Sequence, residues 1–239
     1  MQNAKSQSKK KKSNPVVRKG VKKKKSDFFI HPTAIVEDNV QIGRDTKIWH
    51  FSQIRSGTKI GQNCVIGNSV FIDFDSIIGD NVKIQNRAII YHQAIIESGV
   101  FIGPNVCFTN DKIPRAINAD GKIKSADDWE VSTIEIGEGA SIGGHTVILP
   151  GVKIGKFALI GAGAVITKDT PPHALVYGNP GRIYDFVCFC GQRLKDEVSR
   201  KDNKIIFQCV CGLKNIVLKM DYDLKFYPPA EEKPKIWLR

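Results

Sequence analysis

Branched apolar residues recur at every sixth position along most of the chain. This column comprises Ile30, Val36, Ile42, Ile48, Ile54, Ile60, Ile66, Ile72, Ile78, Ile84, Ile90, Ile96, Ile102 and Phe108, then Ile136, Ile142, Ile148, Ile154, Ile160 and Ile166. Side chains two apart on a strand share a face, whereas a helix has a shorter, non-integral period, so a period of six fits strands rather than a helix. The pattern predicts one short β-strand in each six-residue unit.

A second column lies two residues before the first and combines small and polar residues with Val. Its members are Val40, Thr46, Ser52, Thr58, Cys64, Val70, Ser76, Val82, Ala88, Ala94, Val100 and Val106. Three residues after the isoleucine, Gly, Asn or Asp is common, and these residues tolerate the positive φ of a sharp corner. Three strand-and-corner units close one triangular coil, and successive coils stack by β-pairing.

The repeat is interrupted between Phe108 and Ile136, and the length of this gap is not a multiple of six. Residues 109–133 are therefore predicted to leave the solenoid as a loop and then return to it. A loop of this length in a regular fold is usually functional. Because the gap breaks the register, the sequence does not assign a face to His145.

The net charge of +12 is concentrated at the N-terminus, where residues 1–26 carry ten Lys, one Arg and no acidic residue. The rest of the chain is close to neutral, so no specific nucleic-acid partner is predicted. Residues 1–27 are expected to be a disordered arm, either a solvated tail or a weak contact with an anionic lipid or RNA surface. No apolar run approaches the roughly 20 residues of a membrane span, and a cytoplasmic location is the default expectation.

Four segments occur in a characteristic order: "HPTAIVEDNVQIGRDTKIWHFSQI", "VKIQNRAIIY", "VFIGPNVCFTNDKIPRA" and "IGAGAVITKDTPPHALVYGNPGR". With the repeated [LIV]-G-x-x-x-x unit, they make residues 28–190 resemble the hexapeptide-repeat acyltransferases, especially the nucleotide-sugar N-acetyltransferases. The resemblance implies an all-β fold, a left-handed parallel β-helix, and a homotrimer that uses acetyl-CoA.

The implied reaction is acetylation of the 3-amino group of a UDP-2-acetamido-3-amino-2,3-dideoxy-hexuronate for surface polysaccharide biosynthesis. A dTDP-linked 3-amino-6-deoxy sugar is an alternative substrate, and a non-catalytic binding solenoid is an alternative function. A zinc-dependent γ-type carbonic anhydrase is disfavoured, because His145 has no second His at the required spacing.

The expected organisation follows from these features. It consists of an arm at 1–27, the acetyltransferase β-helix at 28–171 with its loop at 109–133, a connecting segment at 172–187, a Cys-rich module at 188–220 and a tail at 221–239.

Catalytic candidates are taken from the resemblance and from the spacing of one full coil. Asn86, in the "QN" position, would face the amino sugar, and His92 or His145 would assist attack by the amine. A mechanism without a protein base, in which the proton passes to the departing thiolate, is the alternative. His92 and Asn110 are separated by three repeat units, which make one coil, and are expected on one edge.

Binding residues are predicted in the loop and beyond it. Asn110 and Asp111 would lie near the sugar, and the fork of Arg115 would suit a carboxylate or phosphate. For coenzyme A the resemblance implies backbone approach at Gly161, Ala162 and Ala164, with Lys168 and Arg182 at the phosphates. Alternatively, the glycines serve only corners and Arg182 caps the solenoid.

Four of the six cysteines cluster in the motifs "CFCG" and "CVCG", as Cys188, Cys190, Cys209 and Cys211. Paired Cys motifs outside an oxidising compartment favour a metal over disulfides. The pattern predicts a zinc-ribbon-like module with a structural Zn²⁺, although ribbons normally use Cys-x-x-Cys. Reduced thiols without a metal are the alternative.

Overall fold

The computed structural model describes residues 27–125, 128 and 132–226. Within them the chain is a parallel β-solenoid of about eight turns with almost no helix, which confirms the predicted left-handed β-helix. The Lys-rich arm, apart from Asp27, lies outside the described residues. None of the described helices is long and apolar enough to span a membrane.

The strands stack into three faces, each built from every third strand as far as β20, and β21 and β22 extend the first face. Face 1 contains β1 (Phe29–Ile30), β4 (Lys47–Ile48), β7 (Val65–Ile66), β10 (Lys83–Ile84), β13 (Phe101–Ile102), β16 (Ser141–Ile142), β19 (Leu159–Ile160), β21 (Ala174–Tyr177) and β22 (Arg182–Phe186). Face 2 contains β2 (Ile35–Val36), β5 (Gln53–Ile54), β8 (Phe71–Ile72), β11 (Ile89–Ile90), β14 (Cys107–Phe108), β17 (Val147–Ile148) and β20 (Val165–Ile166). Face 3 contains β3 (Gln41–Ile42), β6 (Lys59–Ile60), β9 (Ile77–Ile78), β12 (Ile95–Ile96), β15 (Glu135–Ile136) and β18 (Lys153–Ile154).

Both predicted columns point inward. The isoleucines of the first column are buried from Ile48 to Ile166. The second column fills the remaining space with small side chains. Its buried hydroxyls donate to carbonyls at the corners, as Thr46 does to Gly61 at 2.8 Å and Ser52 to Gly67 at 2.6 Å. Since a buried hydroxyl without a partner is costly, these bonds explain how Ser and Thr fit an otherwise apolar core.

The predicted corners are present, and most have a residue at positive φ three positions after the isoleucine. Asp45 (φ 60°) and Asn63 (φ 55°) follow the prediction, but Phe51 (φ 57°), Arg87 (φ 61°) and Gln93 (φ 58°) adopt the same conformation. The coil therefore imposes the corner even where the side chain does not favour it.

The loop after Phe108 leaves the solenoid and returns without disturbing the stack. Below it, paired strands are three repeat units apart in sequence, as for Lys83 and Phe101. Across it, Phe101 pairs with Ser141, which lies much further along the chain. The two levels remain in register despite the inserted segment, and this register places His145 one level above Asn105.

The chain that follows the solenoid, described up to residue 226, packs on its C-terminal end. β21 pairs with the antiparallel β22, and a separate antiparallel sheet follows, formed by β23 (Asp196–Lys201), β24 (Lys204–Gln208) and β25 (Lys214–Leu218), with a short helix α1 (Lys219–Tyr222). The ring of Phe189 contacts Phe157 and His173 edge-on, each at a centroid distance of 4.6 Å. The Cys-rich segment therefore packs directly on the last coils.

His173, which takes part in this contact, makes the free energy of unfolding depend on pH. Its Nδ1 lies 2.9 Å from the Val187 carbonyl oxygen, and burial lowers the pKa of His173 while the Val187 bond offsets part of that effect. Since the unfolded chain takes up a proton near pH 6.5 and the folded chain only at lower pH, the free energy of unfolding falls between those two values as pH decreases.

We therefore expect His173→Gln to lose less stability than the unaltered chain when the pH drops from about 7.5 to about 5.5. Chemical denaturation of both proteins at the two pH values measures the difference. Equal losses would contradict a titrating role for this side chain.

Candidate functional site

Two rows of corner residues border face 2. Corner 1–2 denotes the connections from face 1 to face 2, and corner 2–3 those from face 2 to face 3. Residues at equivalent positions on neighbouring levels are one coil apart in sequence, or one coil plus the inserted loop. Side chains from distant parts of the chain therefore stack along each corner.

One buried histidine, His92, lies at corner 2–3 at the base of the loop. Together with Asp73, Phe74 and Asn110 it forms what we call the histidine cluster. His92 is 6% exposed, and its Nδ1 lies 3.5 Å from Oδ2 of Asp73 and 3.2 Å from Nδ2 of Asn110. Its ring stacks on Phe74 with a centroid distance of 4.8 Å and an interplanar angle of 7°. The predicted shared edge of His92 and Asn110 is observed.

Asp73 is held in place by Arg55, whose Nη1 lies 3.1 Å from Asp73 Oδ1. Arg55 also binds Glu37 at 3.3 Å, and the pKa of Arg55 is raised, chiefly by this hydrogen bond and further by the charges of Glu37 and Asp73. Asp73 Oδ1 also accepts the Phe74 backbone N–H at 3.0 Å. One carboxylate oxygen is thus anchored while the other faces His92.

This arrangement suits a proton-transfer site. A carboxylate close to Nδ1 of a histidine favours the tautomer in which Nδ1 carries the proton and Nε2 carries the lone pair. The amide of Asn110 can present its oxygen to the same Nδ1, because amide orientation follows the hydrogen-bond network. His92 therefore has the surroundings of an oriented base.

The other predicted sugar residues lie next to Asn110 at the start of the loop. Asp111 Oδ1 accepts the Ile113 backbone N–H at 2.8 Å and so forms a local turn. Arg115 is exposed, and its Nη1 lies 3.5 Å from the Pro114 carbonyl oxygen. Within the described chain, the hydrogen bonds of these two residues are local to the start of the loop.

The remaining predicted catalytic residues lie on corner 1–2. Asn86 Oδ1 accepts the Asn68 backbone N–H at 2.9 Å, which orders this edge of the coil. His145 has φ 59°, and its Nε2 lies 3.2 Å from Asn105 Nδ2. Within one chain, His145 and His92 therefore stand on opposite sides of face 2.

The predicted coenzyme A residues divide between the two corners. Lys168 and Arg182 line one groove of about 260 Å³ near the end of corner 2–3. Gly161 and Ala162 lie on corner 1–2, where a Cβ on Gly161 would come within 2.8 Å of Tyr177 Cβ, so packing alone requires this glycine. Ala164 is fully buried in the inner column, and its carbonyl oxygen accepts the Val147 backbone N–H at 2.9 Å.

Sequence reasoning missed Asp73, Arg55, Phe74 and Asn105. The signal was present, because Arg55 and Asp73 are separated by one full coil, and so are Phe74 and His92. The same spacing had already placed His92 beside Asn110. What the spacing does not show is that the Asp73 carboxylate turns toward the histidine of the next coil.

The outward side of face 2 is apolar from β8 to β20, whereas Gln53 of β5 is polar and exposed. Its exposed or half-buried ladder is formed by Phe71, Ile89, Cys107, Val147 and Val165. The equivalent ladder on face 3 is mixed, because Lys59, Glu135 and Lys153 flank the exposed Ile77 and Ile95. A contiguous apolar strip bounded by polar residues is typical of a protein–protein interface.

The four predicted metal ligands converge, and their sulfur atoms all lie within 4.8 Å of one another. The Sγ atoms of Cys188 and Cys211 are 3.6 Å apart, and those of Cys190 and Cys209 are 3.7 Å apart. Asn215 Nδ2 lies 3.3 Å from the Cys188 sulfur. A thiolate set of this kind is suited to Zn²⁺.

Comparison with known proteins identifies close relatives. The family model "Bacterial transferase hexapeptide (six repeats)" matches residues 39–73, 75–110 and 133–168. The dTDP-3-amino-3,6-dideoxy-alpha-D-galactopyranose 3-N-acetyltransferase of Aneurinibacillus thermoaerophilus is 48% identical over 181 residues, which is 76% of this chain and 88% of that protein.

Solved structures give weaker matches. The acetyltransferase domain of PglB from Neisseria gonorrhoeae FA1090, in complex with acetyl coenzyme A, is 21% identical with a TM-score of 0.45, over 66% of this chain and 57% of the other. A mutant of the GDP-perosamine N-acetyl transferase from Caulobacter crescentus, in complex with CoA and GDP-perosamine, is 24% identical with a TM-score of 0.42, over 64% and 54%. The chain spans little more than half the length of these two structures.

Proposed function

The chain belongs to the bacterial hexapeptide transferase family, and from this we propose that it transfers the acetyl group of acetyl-CoA to the amino group of a nucleotide-linked sugar. The relative of 48% identity, which this chain covers over 88% of its length, has this activity in its name. The histidine cluster beside the loop supplies a chemical site for the transfer.

For the sugar, we favour a dTDP-linked 3-amino-3,6-dideoxyhexose over the UDP-linked hexuronate. The Aneurinibacillus thermoaerophilus relative acts on a sugar of the dTDP-linked class. The UDP-linked hexuronate remains an alternative, since the exposed guanidinium of Arg115 would suit either its carboxylate or a phosphate of either nucleotide.

In the proposed reaction the sugar amine attacks the thioester carbonyl carbon and forms the C–N bond. His92 Nε2 takes the amine proton while Asp73 stabilises the resulting imidazolium. Collapse of the tetrahedral intermediate breaks the C–S bond, and the imidazolium returns the proton to the coenzyme A thiolate. Asn110 and the loop would position the sugar, and Lys168 and Arg182 would meet phosphates of the coenzyme.

We further propose that copies of the chain assemble through face 2, as the homotrimer implied by the resemblance. A contact on this face would bring corner 1–2 of one copy against corner 2–3 of the next. Asn86 and His145 would then join a His92 cluster of another copy. The apolar ladder between the corners supports this arrangement.

A substrate panel tests the proposed activity. Purified protein with acetyl-CoA is assayed for thiol release against dTDP-3-amino-3,6-dideoxygalactose and UDP-2-acetamido-3-amino-2,3-dideoxyglucuronate. We expect kcat/KM to be at least about tenfold higher for the dTDP-linked sugar, because polar contacts to nucleotide and sugar discriminate strongly. The dTDP-linked parent sugar without the amine is the control.

A preference for the hexuronate would reverse the sugar assignment and leave the reaction class intact. Binding of acetyl-CoA without turnover of any amino sugar would instead support a binding solenoid.

A further inference from the structure

We propose that Cys188, Cys190, Cys209 and Cys211 bind a single Zn²⁺, and that this ion fastens the C-terminal module onto the end of the solenoid. The ion would be structural, because four protein ligands leave no open coordination position. This inference does not depend on the acetyltransferase activity.

The distances between the sulfur atoms are the first support for a zinc site. Four ligands at about 2.3 Å from a tetrahedral zinc ion lie roughly 3.8 Å from each other. The pairs Cys188–Cys211 and Cys190–Cys209, at 3.6 and 3.7 Å, match that spacing, and all four sulfur atoms lie within 4.8 Å of one another. A disulfide needs sulfur atoms about 2.05 Å apart, so the cluster has the form of a metal site rather than of two bridges.

The backbone around the two motifs supports the same conclusion, since both fold alike. In the first motif the Cys188 N–H donates to the Gln192 carbonyl and the Cys188 carbonyl accepts from Gly191, each at 2.8 Å. In the second, the equivalent bonds of Cys209 with Leu213 and Gly212 are each 2.9 Å.

Each turn ends at a glycine in the left-handed region, with φ 86° at Gly191 and 91° at Gly212. Two matching turns bring the four sulfur atoms together, as the paired turns of a zinc ribbon do. The Cys-x-Cys-Gly spacing therefore does not prevent the four sulfur atoms from meeting at one site.

The surroundings of the sulfurs are also those of a structural site. Cys188 and Cys209 are buried, whereas Cys190 and Cys211 are exposed and leave an entry path for the ion. The side-chain N–H of Asn215, a buried residue, points to the Cys188 sulfur. Such a donor compensates negative charge on a ligating thiolate.

The site is connected to the solenoid through the residue between its first two ligands. Phe189 packs on Phe157 and His173, both from the last coils. β22 runs directly toward Cys188, and Phe186 at its end is fully buried. An ion that fixes Cys188 and Cys190 therefore also holds Phe189 against the end of the solenoid.

The test measures metal in the purified full-length protein by elemental analysis. We expect about one Zn²⁺ per chain, and Cys209→Ser and Cys211→Ser should lose it. Cys107→Ser is the matched control, because that half-buried thiol lies on face 2 outside the cluster. When Zn²⁺ is replaced by Co²⁺, both the unaltered protein and the Cys107→Ser control should show the absorption of a tetrahedral thiolate site.

A second variant separates ion binding from docking. Phe189→Ala should retain the zinc but lower Tm by about 5 °C or more, because the aromatic contact with the last coils is lost. If the Cys variants fail to fold, titration of the unaltered protein with a mercurial should release the zinc as the thiols react. Intact reduced thiols without zinc, iron in its place, or disulfides within the cluster would overturn the proposal.

Discussion

Replacing His92 with Asn is expected to lower kcat by about 10² to 10⁴-fold, the usual range for loss of a general base. Asn keeps a polar side chain near Asp73 and Asn110 but cannot accept the amine proton at the position of Nε2. Steady-state kinetics with saturating acetyl-CoA measure the loss.

Three further variants sharpen this prediction. Asp73→Asn should reduce kcat with little change in KM, because it removes the group that orients His92. His145→Asn tests the rival base on corner 1–2, and His31→Asn, at the first coil, is the control. An unchanged kcat in His92→Asn would support the mechanism in which the departing thiolate takes the proton.

Placing a charge at the centre of face 2, with Ile89→Asp, is expected to separate the copies and abolish activity by more than about 100-fold. The first effect follows because an unpaired carboxylate buried in an apolar contact is strongly unfavourable. The second follows because each proposed site takes residues from two copies. Sedimentation and turnover of the same sample measure the two consequences together.

Ile95→Asp provides a matched control, since Ile89 and Ile95 are both 37% exposed on two-residue strands but on different faces. It should keep the assembly and the activity. An Ile89→Asp protein that remains assembled would show that face 2 is not the interface. An active single chain would show that one copy holds the complete site.

The repeat made the fold predictable because each inward isoleucine occupies an equivalent place in the coil. The same period located His92 beside Asn110, since three repeat units make one complete coil. The period did not assign positions beyond the loop. The gap there contains one repeat unit plus an inserted segment whose length is not a multiple of six. Only the observed pairing of Phe101 with Ser141 separates these two contributions.

Other parts of the site depend on side-chain orientation, which periodicity does not determine. Asp73 could have faced solvent like Asp75, two residues later, but its contacts with Arg55 and with the Phe74 backbone turn it toward His92. The cysteine cluster is a different case. Its two motifs are separated by a hairpin, and their convergence follows from how β23 and β24 pair.

The N-terminal end of the solenoid bears on self-association. There β1, β2 and β3 each have a strand on only one side within the described residues, whereas at the C-terminal end β22 adds an antiparallel strand to face 1 and Thr170 forms a bridge with Ile154 of face 3. Open edges of this kind are templates for runaway fibre growth. Eleven positive charges precede β1 in the sequence, and we expect their mutual repulsion to oppose end-to-end contact between two copies of the chain.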